Sequence, residues 1–177
     1  MLPEAVLQCV TTLQQAGYPA YLVGGCVRDL LLGQEPHDFD VATSAPPSAV
    51  QQLFSHVVPT GLPFGTVTVM LPLPIEVTTF RSDGRYGDGR HPDKVEFTGD
   101  IETDLARRDF TINAIAWDPL TDTLIDPWGG QADLKTGLIR AVGNPAERFG
   151  EDGLRLLRAA RFASQLKFAI ESETRSA

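Results

Sequence analysis

Residues 22–33 read Leu-Val-Gly-Gly-Cys-Val-Arg-Asp-Leu-Leu-Leu-Gly, and residues 38–40 read Asp-Phe-Asp. The short apolar run at 21–23 fits a buried strand. The two glycines interrupt that run, and the residues after them fit a helix over 26–32, which a further glycine ends. The second stretch fits another strand over 38–42. The sequence therefore predicts a strand, a glycine turn, a helix and a second strand in close succession.

The second predicted strand carries two carboxylates on one face. Side chains two residues apart on a strand point the same way, so Asp38 and Asp40 face one point while Phe39 and Val41 face the core. Mg²⁺ takes one or two protein carboxylates and keeps water or phosphate as its other ligands. Two such ions can activate an attacking hydroxyl and stabilise a leaving pyrophosphate. We therefore take Asp38 and Asp40 as candidate ligands of two Mg²⁺ ions.

The glycine turn before the helix is a candidate phosphate site. The backbone N–H groups of Gly24 and Gly25 can approach a phosphate closely, and a helix start favours an anion. Arg28 lies one turn into the helix and adds a positive charge. The alternative is a plain glycine turn beside a solvated acidic strand edge. The two motifs together favour the functional interpretation.

A later strand carries a third acidic candidate. Glu76 lies between apolar, β-forming residues in the stretch 75–80, so it could face the same site as a third catalytic carboxylate. The alternative is an exposed strand face.

Residues 107–114 read Arg-Arg-Asp-Phe-Thr-Ile-Asn-Ala. If they are helical, Asp109 and Asn113 face the same way. Arg107 or Arg108 could then hold triphosphate oxygens, and Asp109 or Asn113 a ribose. A capped helix with a solvated basic face explains the spacing equally well.

Residues 151–161 read Glu-Asp-Gly-Leu-Arg-Leu-Leu-Arg-Ala-Ala-Arg. Asp152 and Arg155 could form a surface salt bridge at i, i+3 spacing. Alternatively, the carboxylate accepts from an exocyclic amino group while the guanidinium donates to a ring acceptor. Cytosine and adenine both offer that pattern, so such a pair could select them over uracil and guanine.

The rest of the chain fits a mixed α+β fold with a short sheet. Helices are expected at 4–15, 47–54, 100–113 and 130–136 and from residue 145 onwards, and strands at 65–71, 75–80, 114–118, 123–126 and 138–142. Residues 81–93 carry three glycines, a proline and six formal charges, which is typical of a mobile loop. The strand-rich region gives way to a helical one near residue 140.

Composition limits the function classes. The 177 residues contain 42% hydrophobic residues, which suits a globular core, and no apolar run is long enough for a membrane helix. The net charge of −8 argues against a simple nucleic-acid binder. However, residues 105–167 carry 9 Lys and Arg against 8 Asp and Glu. Without a signal peptide or metal-type spacing of Cys9 and Cys26, we expect a reduced, cytoplasmic protein.

These motifs together resemble the class II tRNA nucleotidyltransferases, which include the CCA-adding enzymes and belong with the polymerase-β-like nucleotidyltransferases. The matching stretches are 22–40, 107–114 and 151–162, and residues 80–97, with Asp88-Gly-Arg-His-Pro, resemble the flexible loop of the family. The resemblance implies a reaction in which CTP and ATP donate CMP and AMP to the 3′ end of tRNA. It implies metal ligation by Asp38 and Asp40 and nucleotide binding by Gly24, Gly25, Arg28, Arg108, Asp109, Asn113, Asp152, Arg155 and Arg158.

The resemblance also implies the domain organisation. We expect a catalytic head over residues 1–140 and the start of an all-helical neck over 141–177, with the chain stopping inside that neck. The alternatives within the class are A-only addition and a poly(A) polymerase. The alternative outside it is a nucleotide- or RNA-binding fragment without full activity. The sequence gives no indication of the oligomeric state.

Overall fold

The computed structural model describes residues 2–84, 86–87 and 92–177. The predicted mobile loop at 81–93 lies partly outside these ranges. Its described start is a strand, because residues 81–83 pair with residues 95–97. Asp88-Gly-Arg-His, the distinctive part of the loop motif, lies outside the described residues.

The centre of the fold is a mixed β-sheet. In the described part of the chain it has seven strands: β1 (Ala20–Val23), β2 (Asp40–Thr43), β3 (Val57–Gly61), β4 (Thr66–Met70), β5 (Pro74–Thr79), β8 (Ala116–Asp118) and β9 (Thr123–Ile125). Their order is β3-β4-β5-β2-β1-β8-β9. The β2–β5 pair is parallel, and the other neighbours are antiparallel. Two short ribbons pair β6 (Arg81–Asp83) with β7 (Val95–Phe97) and β10 (Leu138–Ile139) with β11 (Ala169–Ile170).

Helices flank the sheet and form the C-terminal part. They are α1 (Glu4–Gln15), α2 (Gly25–Leu31), α3 (Pro47–Leu53), α4 (Ile101–Ala106), α5 (Gly130–Thr136), α6 (Pro145–Glu151), α7 (Leu154–Leu166) and α8 (Ser172–Ser176). Helix α1 is amphipathic and buries Val6, Val10 and Leu13. No helix in residues 2–84, 86–87 and 92–177 is long and apolar enough to cross a membrane.

The two faces of the sheet bury different residues. One face carries Leu22, Val41 and Val77, which pack in the main core with α1. The opposite face carries Val23 and Ala42, which join a smaller core that includes Leu105 of α4. Residues directly opposite each other in a ladder share a face, so this second face also carries the strand positions of Asp40 and Glu76. The smaller core leaves part of this face open for polar groups.

The predicted α+β class with a mixed sheet and flanking helices is confirmed. The helix expected over 100–113 is wrong. It ends with α4 at residue 106, and a 3₁₀ turn follows at Thr111–Asn113. The reason is tertiary: Phe110 is extended and bridges to Ala141, and the N–H of Val142 donates to the carbonyl of Asp109. Pairing with a distant segment overrides the local helical pattern.

Two more expectations need correction. The helical pattern from residue 145 is not continuous, because Asp152 is extended between α6 and α7 and the short strand β11 follows. The strand expected over 138–142 is only the two-residue β10, followed by the Ala141 bridge. Strand β2 starts at Asp40, so Asp38 lies in the bend just before it.

Candidate active site

A cleft of about 400 Å³ opens where α2, β2, the segment after α4 and α7 meet. It gathers most of the residues that the sequence singled out. The predicted residues that line it are Gly24, Gly25, Arg28, Asp38, Asp40, Arg108, Asp109, Asn113, Arg155 and Arg158. Glu76 and Asp152 line an adjoining cavity of about 380 Å³, which shares Arg107 and Arg155 with the cleft. Segments that are far apart in sequence therefore form one continuous depression.

Gly24 brings the backbone close to charged side chains. Its φ is +74°, a conformation that side chains with a Cβ rarely adopt. A Cβ at this position would also lie 3.1 Å from Arg108 Nη1 and 3.4 Å from Asp40 Oδ2. Position 24 therefore requires glycine for two reasons: its backbone angle and the lack of space for a Cβ.

The acidic residues lie at one edge of the cleft. Asp40 is the first residue of β2 and is paired in register with Glu76 of β5, while Asp38 precedes the strand. The pKa of Asp40 is raised to about 6 by burial and by the negative charge of Glu76, with Asp38 adding to the shift and Arg108 opposing it. Asp40 thus interacts with both of the other candidate carboxylates.

In residues 2–84, 86–87 and 92–177, no group of three or more His, Cys, Asp or Glu side chains is placed to hold a metal ion. Mg²⁺ does not need such a group, since it commonly uses one or two carboxylates and completes its shell with water and substrate phosphates. The crowded carboxylates around Asp40 suit a divalent cation, because a cation would relieve the repulsion that raises this pKa. The donor set fits Mg²⁺.

Hydrogen bonds connect the helix α2 side of the cleft to its floor. Arg28 Nη1 donates to Asn113 Oδ1 over 2.9 Å, and its Nη2 pairs with Asp29 at 2.7 Å. Asn113 Nδ2 in turn donates to Asp109 Oδ1 over 3.2 Å. The other Asp109 oxygen accepts from Arg158 Nε over 2.6 Å. Asp109 and Asn113 do meet as predicted, although a 3₁₀ turn rather than an α-helix brings them together.

A buried carboxylate holds the two neighbouring arginines. The side chain of Asp104 has no exposed surface and pairs with Arg107 Nη2 at 3.0 Å and Arg108 Nη2 at 3.2 Å. Burial alone would raise the pKa of Asp104, but the two guanidinium groups and their hydrogen bonds outweigh it and lower the pKa. Asp104 therefore fixes both arginines at the wall of the cleft. The sequence analysis did not single it out.

The Asp152–Arg155 surface salt bridge considered from the sequence is not formed between these described residues. Arg155 instead pairs with Glu151, donates to the Arg148 carbonyl over 2.8 Å, and is itself buried. Asp152 Oδ1 accepts from the N–H of Leu154, the first residue of α7, over 2.9 Å. Both side chains line the adjoining cavity.

Two lining residues were missed. Arg161 and Phe162 of α7 line the cleft beside Arg155 and Arg158. The three-residue spacing of Arg155, Arg158 and Arg161 was the available signal, since it places these side chains along one side of a helix. Counting Arg161, six arginines and three aspartates line the cleft. A chain with a net charge of −8 thus presents a locally cationic depression.

A mixed sheet with an acidic edge beside an arginine-lined cleft is the arrangement we expect of a nucleotidyltransferase. The sequence model of the poly A polymerase head domain matches residues 20–140. The chain belongs to the poly A polymerase head domain family.

Curated relatives match almost the whole chain. The CCA-adding enzyme of Levilactobacillus brevis is 54% identical over 175 residues, which is 98% of this chain and 44% of that protein. The CCA-adding enzyme of Ligilactobacillus salivarius is 52% identical over 172 residues, covering 97% of this chain and 42% of that protein. This chain therefore spans less than half the length of these relatives.

Solved structures match the fold closely. The CCA-adding enzyme of Bacillus stearothermophilus in complex with CTP has a TM-score of 0.91 and 44% identity, over 99% of this chain and 43% of that one. A tRNA nucleotidyltransferase complexed with a primer tRNA and an incoming ATP analogue has a TM-score of 0.75 and 35% identity, over 95% of this chain and 48% of that one.

Proposed function

We propose that this chain carries the nucleotidyl-transfer site of a CCA-adding enzyme, which transfers CMP and AMP from CTP and ATP to the 3′ end of tRNA. The observation that carries the proposal is the cleft, where an acidic strand edge faces arginines across a glycine turn. Relatives named CCA-adding enzymes, 52% and 54% identical over nearly the whole chain, support it.

The cleft suits a nucleoside triphosphate. In the proposed reaction the 3′-hydroxyl oxygen of the RNA attacks the α-phosphorus, and the bond to the β-phosphate breaks so that pyrophosphate leaves. Backbone N–H groups at Gly24 and Gly25, with Arg28 and Arg108, bind the phosphate oxygens and stabilise the charge on the departing pyrophosphate. Asp109 and Asn113 hold the ribose side, steadied by Arg158.

Asp38 and Asp40 are proposed to hold two Mg²⁺ ions, with Glu76 as the third carboxylate at this edge. When bound, the ions would neutralise triphosphate charge and lower the pKa of the attacking hydroxyl. The interaction of the three carboxylates, expressed in the raised pKa of Asp40, supports this assignment.

Asp152 and Arg155 are proposed to select the base. The Asp152 carboxylate would accept a hydrogen bond from the exocyclic amino group of cytosine or adenine, and Arg155 would donate to the adjacent ring acceptor. Their position beside Arg107, which lines both cavities, supports a base site that adjoins the phosphate-binding cleft.

The domain division, 1–140 as catalytic head and 141–177 as the start of a neck, is also a proposal. The match of the head-domain model to residues 20–140 supports the boundary. A cytoplasmic location is proposed too, and Cys9 and Cys26, which are free and buried, suit a reducing compartment.

The test is incorporation of labelled CTP and ATP into tRNA that lacks its 3′-terminal CCA, in the presence of Mg²⁺. We expect ordered addition of C, C and A, and loss of incorporation in the double variant Asp38→Asn/Asp40→Asn. A matched control, Glu35→Gln, removes an exposed carboxylate outside the cleft and should leave incorporation unchanged. Incorporation that survives the double substitution contradicts the metal assignment.

The same assay separates the alternatives. Addition of a single A only to tRNA ending in CC indicates an A-only enzyme, and long A tails indicate a poly(A) polymerase. Metal-dependent CTP binding without incorporation indicates a nucleotide-binding fragment, the candidate function from outside the enzyme class.

A further inference from the structure

Phe162 of α7 lies at the back of the cleft, among its positive charges. In the described part of the chain, three guanidinium groups surround its ring. Those of Arg28, Arg158 and Arg161 lie 5.1, 5.2 and 5.0 Å from the ring centroid. All three distances are in the range of cation–π attraction to the negative face of an aromatic ring. Phe162 is 5% exposed, so little water competes for its ring.

The three positive charges around the ring repel one another. Acidic partners offset this repulsion for two of the three arginines. Arg28 pairs with Asp29 and Arg158 with Asp109. Among residues 2–84, 86–87 and 92–177, Arg161 has no carboxylate partner, and its observed contact is the ring of Phe162. The ring therefore holds Arg161 at the cleft. An anion bound in the cleft would supply a negatively charged partner for the Arg161 guanidinium group.

Phe162 also packs against a second aromatic ring. Its ring meets Phe110 edge to face, with centroids 5.9 Å apart and an interplanar angle of 88°. Phe110 belongs to the segment that also carries Arg108 and Asp109. The ring thus joins α7 to α2 through Arg28 and to the cleft floor through Phe110.

We propose that Phe162 is a positioning residue for the polyphosphate part of the substrate. Its ring holds the guanidinium groups of Arg28, Arg158 and Arg161 at the wall of the cleft, where they bind phosphate oxygens. This inference rests on the proposed function for its substrate. Since CTP and ATP share the triphosphate, Phe162 acts on both equally and takes no part in base selection.

The first test is binding of inorganic tripolyphosphate, measured by calorimetry on the full chain without RNA. We expect Phe162→Leu to weaken binding about tenfold and Phe162→Tyr, which keeps the ring, to stay within about twofold of the wild type. Phe149→Leu is the matched control. It removes another buried ring of the C-terminal part, one that does not line the cleft, and should leave binding unchanged.

A second measurement separates charge from shape. Pentafluorophenylalanine at position 162 nearly keeps the shape of the ring but removes its negative face, so it should weaken tripolyphosphate binding as much as leucine does. This measurement also stands if Phe162→Leu fails to fold. Wild-type binding by the fluorinated protein, or by a folded Phe162→Leu variant, overturns the proposal.

Kinetics give the third readout. The KM for CTP and for ATP should rise by the same factor in Phe162→Leu, with kcat and the preference over UTP nearly unchanged. A fall confined to kcat overturns the positioning role. If the wild-type chain binds tripolyphosphate through Phe162 but transfers no nucleotide, the proposed function fails while the positioning role of Phe162 stands.

Discussion

Gly24 and Arg158 face the same cleft, but different forces hold them there. The wall formed by Gly24, Asp38 and Asp40, here called the backbone wall, takes its geometry from a turn and a strand start close together in sequence. The wall formed by Arg107, Arg108, Arg155 and Arg158, here called the arginine wall, depends on partners far away in sequence or hidden in the core. Arg158, for example, pairs with a residue 49 positions earlier. The first kind of wall can be inferred from a short motif, and the second requires the fold.

The substitution that we expect to disrupt the arginine wall most is Asp104→Asn. This change removes the buried charge that pairs with Arg107 and Arg108, and it leaves Arg107 with its longer pairing to Asp83, over 3.7 Å. We expect a loss of about 3 kcal/mol in the free energy of unfolding, measured by urea denaturation. Glu102→Gln, at an exposed position of the same helix, should change it by less than about 0.5 kcal/mol. Equal losses of unfolding free energy in the two variants would show that the buried ion pairs of Asp104 contribute no more to stability than an exposed carboxylate does.

The backbone wall is tested by Gly24→Ala. The new Cβ would meet Arg108 and Asp40, and a displaced catalytic group costs about a hundredfold in the rate of nucleotide transfer. Gly17→Ala is the control, because Gly17 also has a positive φ, +86°, while no described atom lies within 4 Å of an added Cβ. Both variants should lose about 1–3 kcal/mol of stability from backbone strain. A similar loss of transfer in both would mean that strain, and not crowding of the site, is responsible.

The difference between the walls also explains what the sequence could predict. The strand, glycine turn, helix and acidic strand edge are coded locally by apolar runs, glycines and alternation, and they form close to their predicted bounds. The helix expected over 100–113 fails because Phe110 pairs with Ala141, a contact that no local pattern announces.

The sequence did not predict the side-chain partners either. The i, i+3 spacing allowed a salt bridge between Asp152 and Arg155 as one alternative, whereas Arg155 pairs with Glu151. In the sequence, Asp104 resembles any other acidic residue in the first turn of a helix. Only the structure shows that it is buried against two arginines. Local patterns thus placed the candidate residues, and packing decided which of them pair.

A substitution at Asp152, the candidate for base selection, should have a smaller effect. Asp152→Asn should lower the preference for CTP over UTP about tenfold, since the amide nitrogen in place of one oxygen no longer accepts from the exocyclic amino group. The amide oxygen of asparagine can still accept from the N–H of Leu154, so the start of α7 keeps this hydrogen bond. Incorporation of CTP and UTP in competition measures the effect. Asp100→Asn makes the same change at the N-cap of α4 and should not alter the preference. An unchanged preference in Asp152→Asn would contradict the assignment of base selection.

The smallest expected effect concerns the C-terminal end of the fold and its dependence on pH. Glu171 caps α8, and hydrogen bonds from the backbone N–H groups of Thr174 and Glu173 lower its pKa to about 2. A pKa that is depressed in the folded state stabilises the protein above the unfolded value, near 4.5, and this stabilisation is lost as the pH falls toward 2. The Glu171 side chain is 12% exposed, and we expect Glu171→Gln to cost about 0.5–1 kcal/mol at pH 7, as for other helix caps. Urea denaturation from pH 7 to pH 3 should show this difference shrinking below pH 4.5. A difference between Glu171→Gln and the wild type that stays constant over this range would mean that the cap acts through its shape and not through its charge.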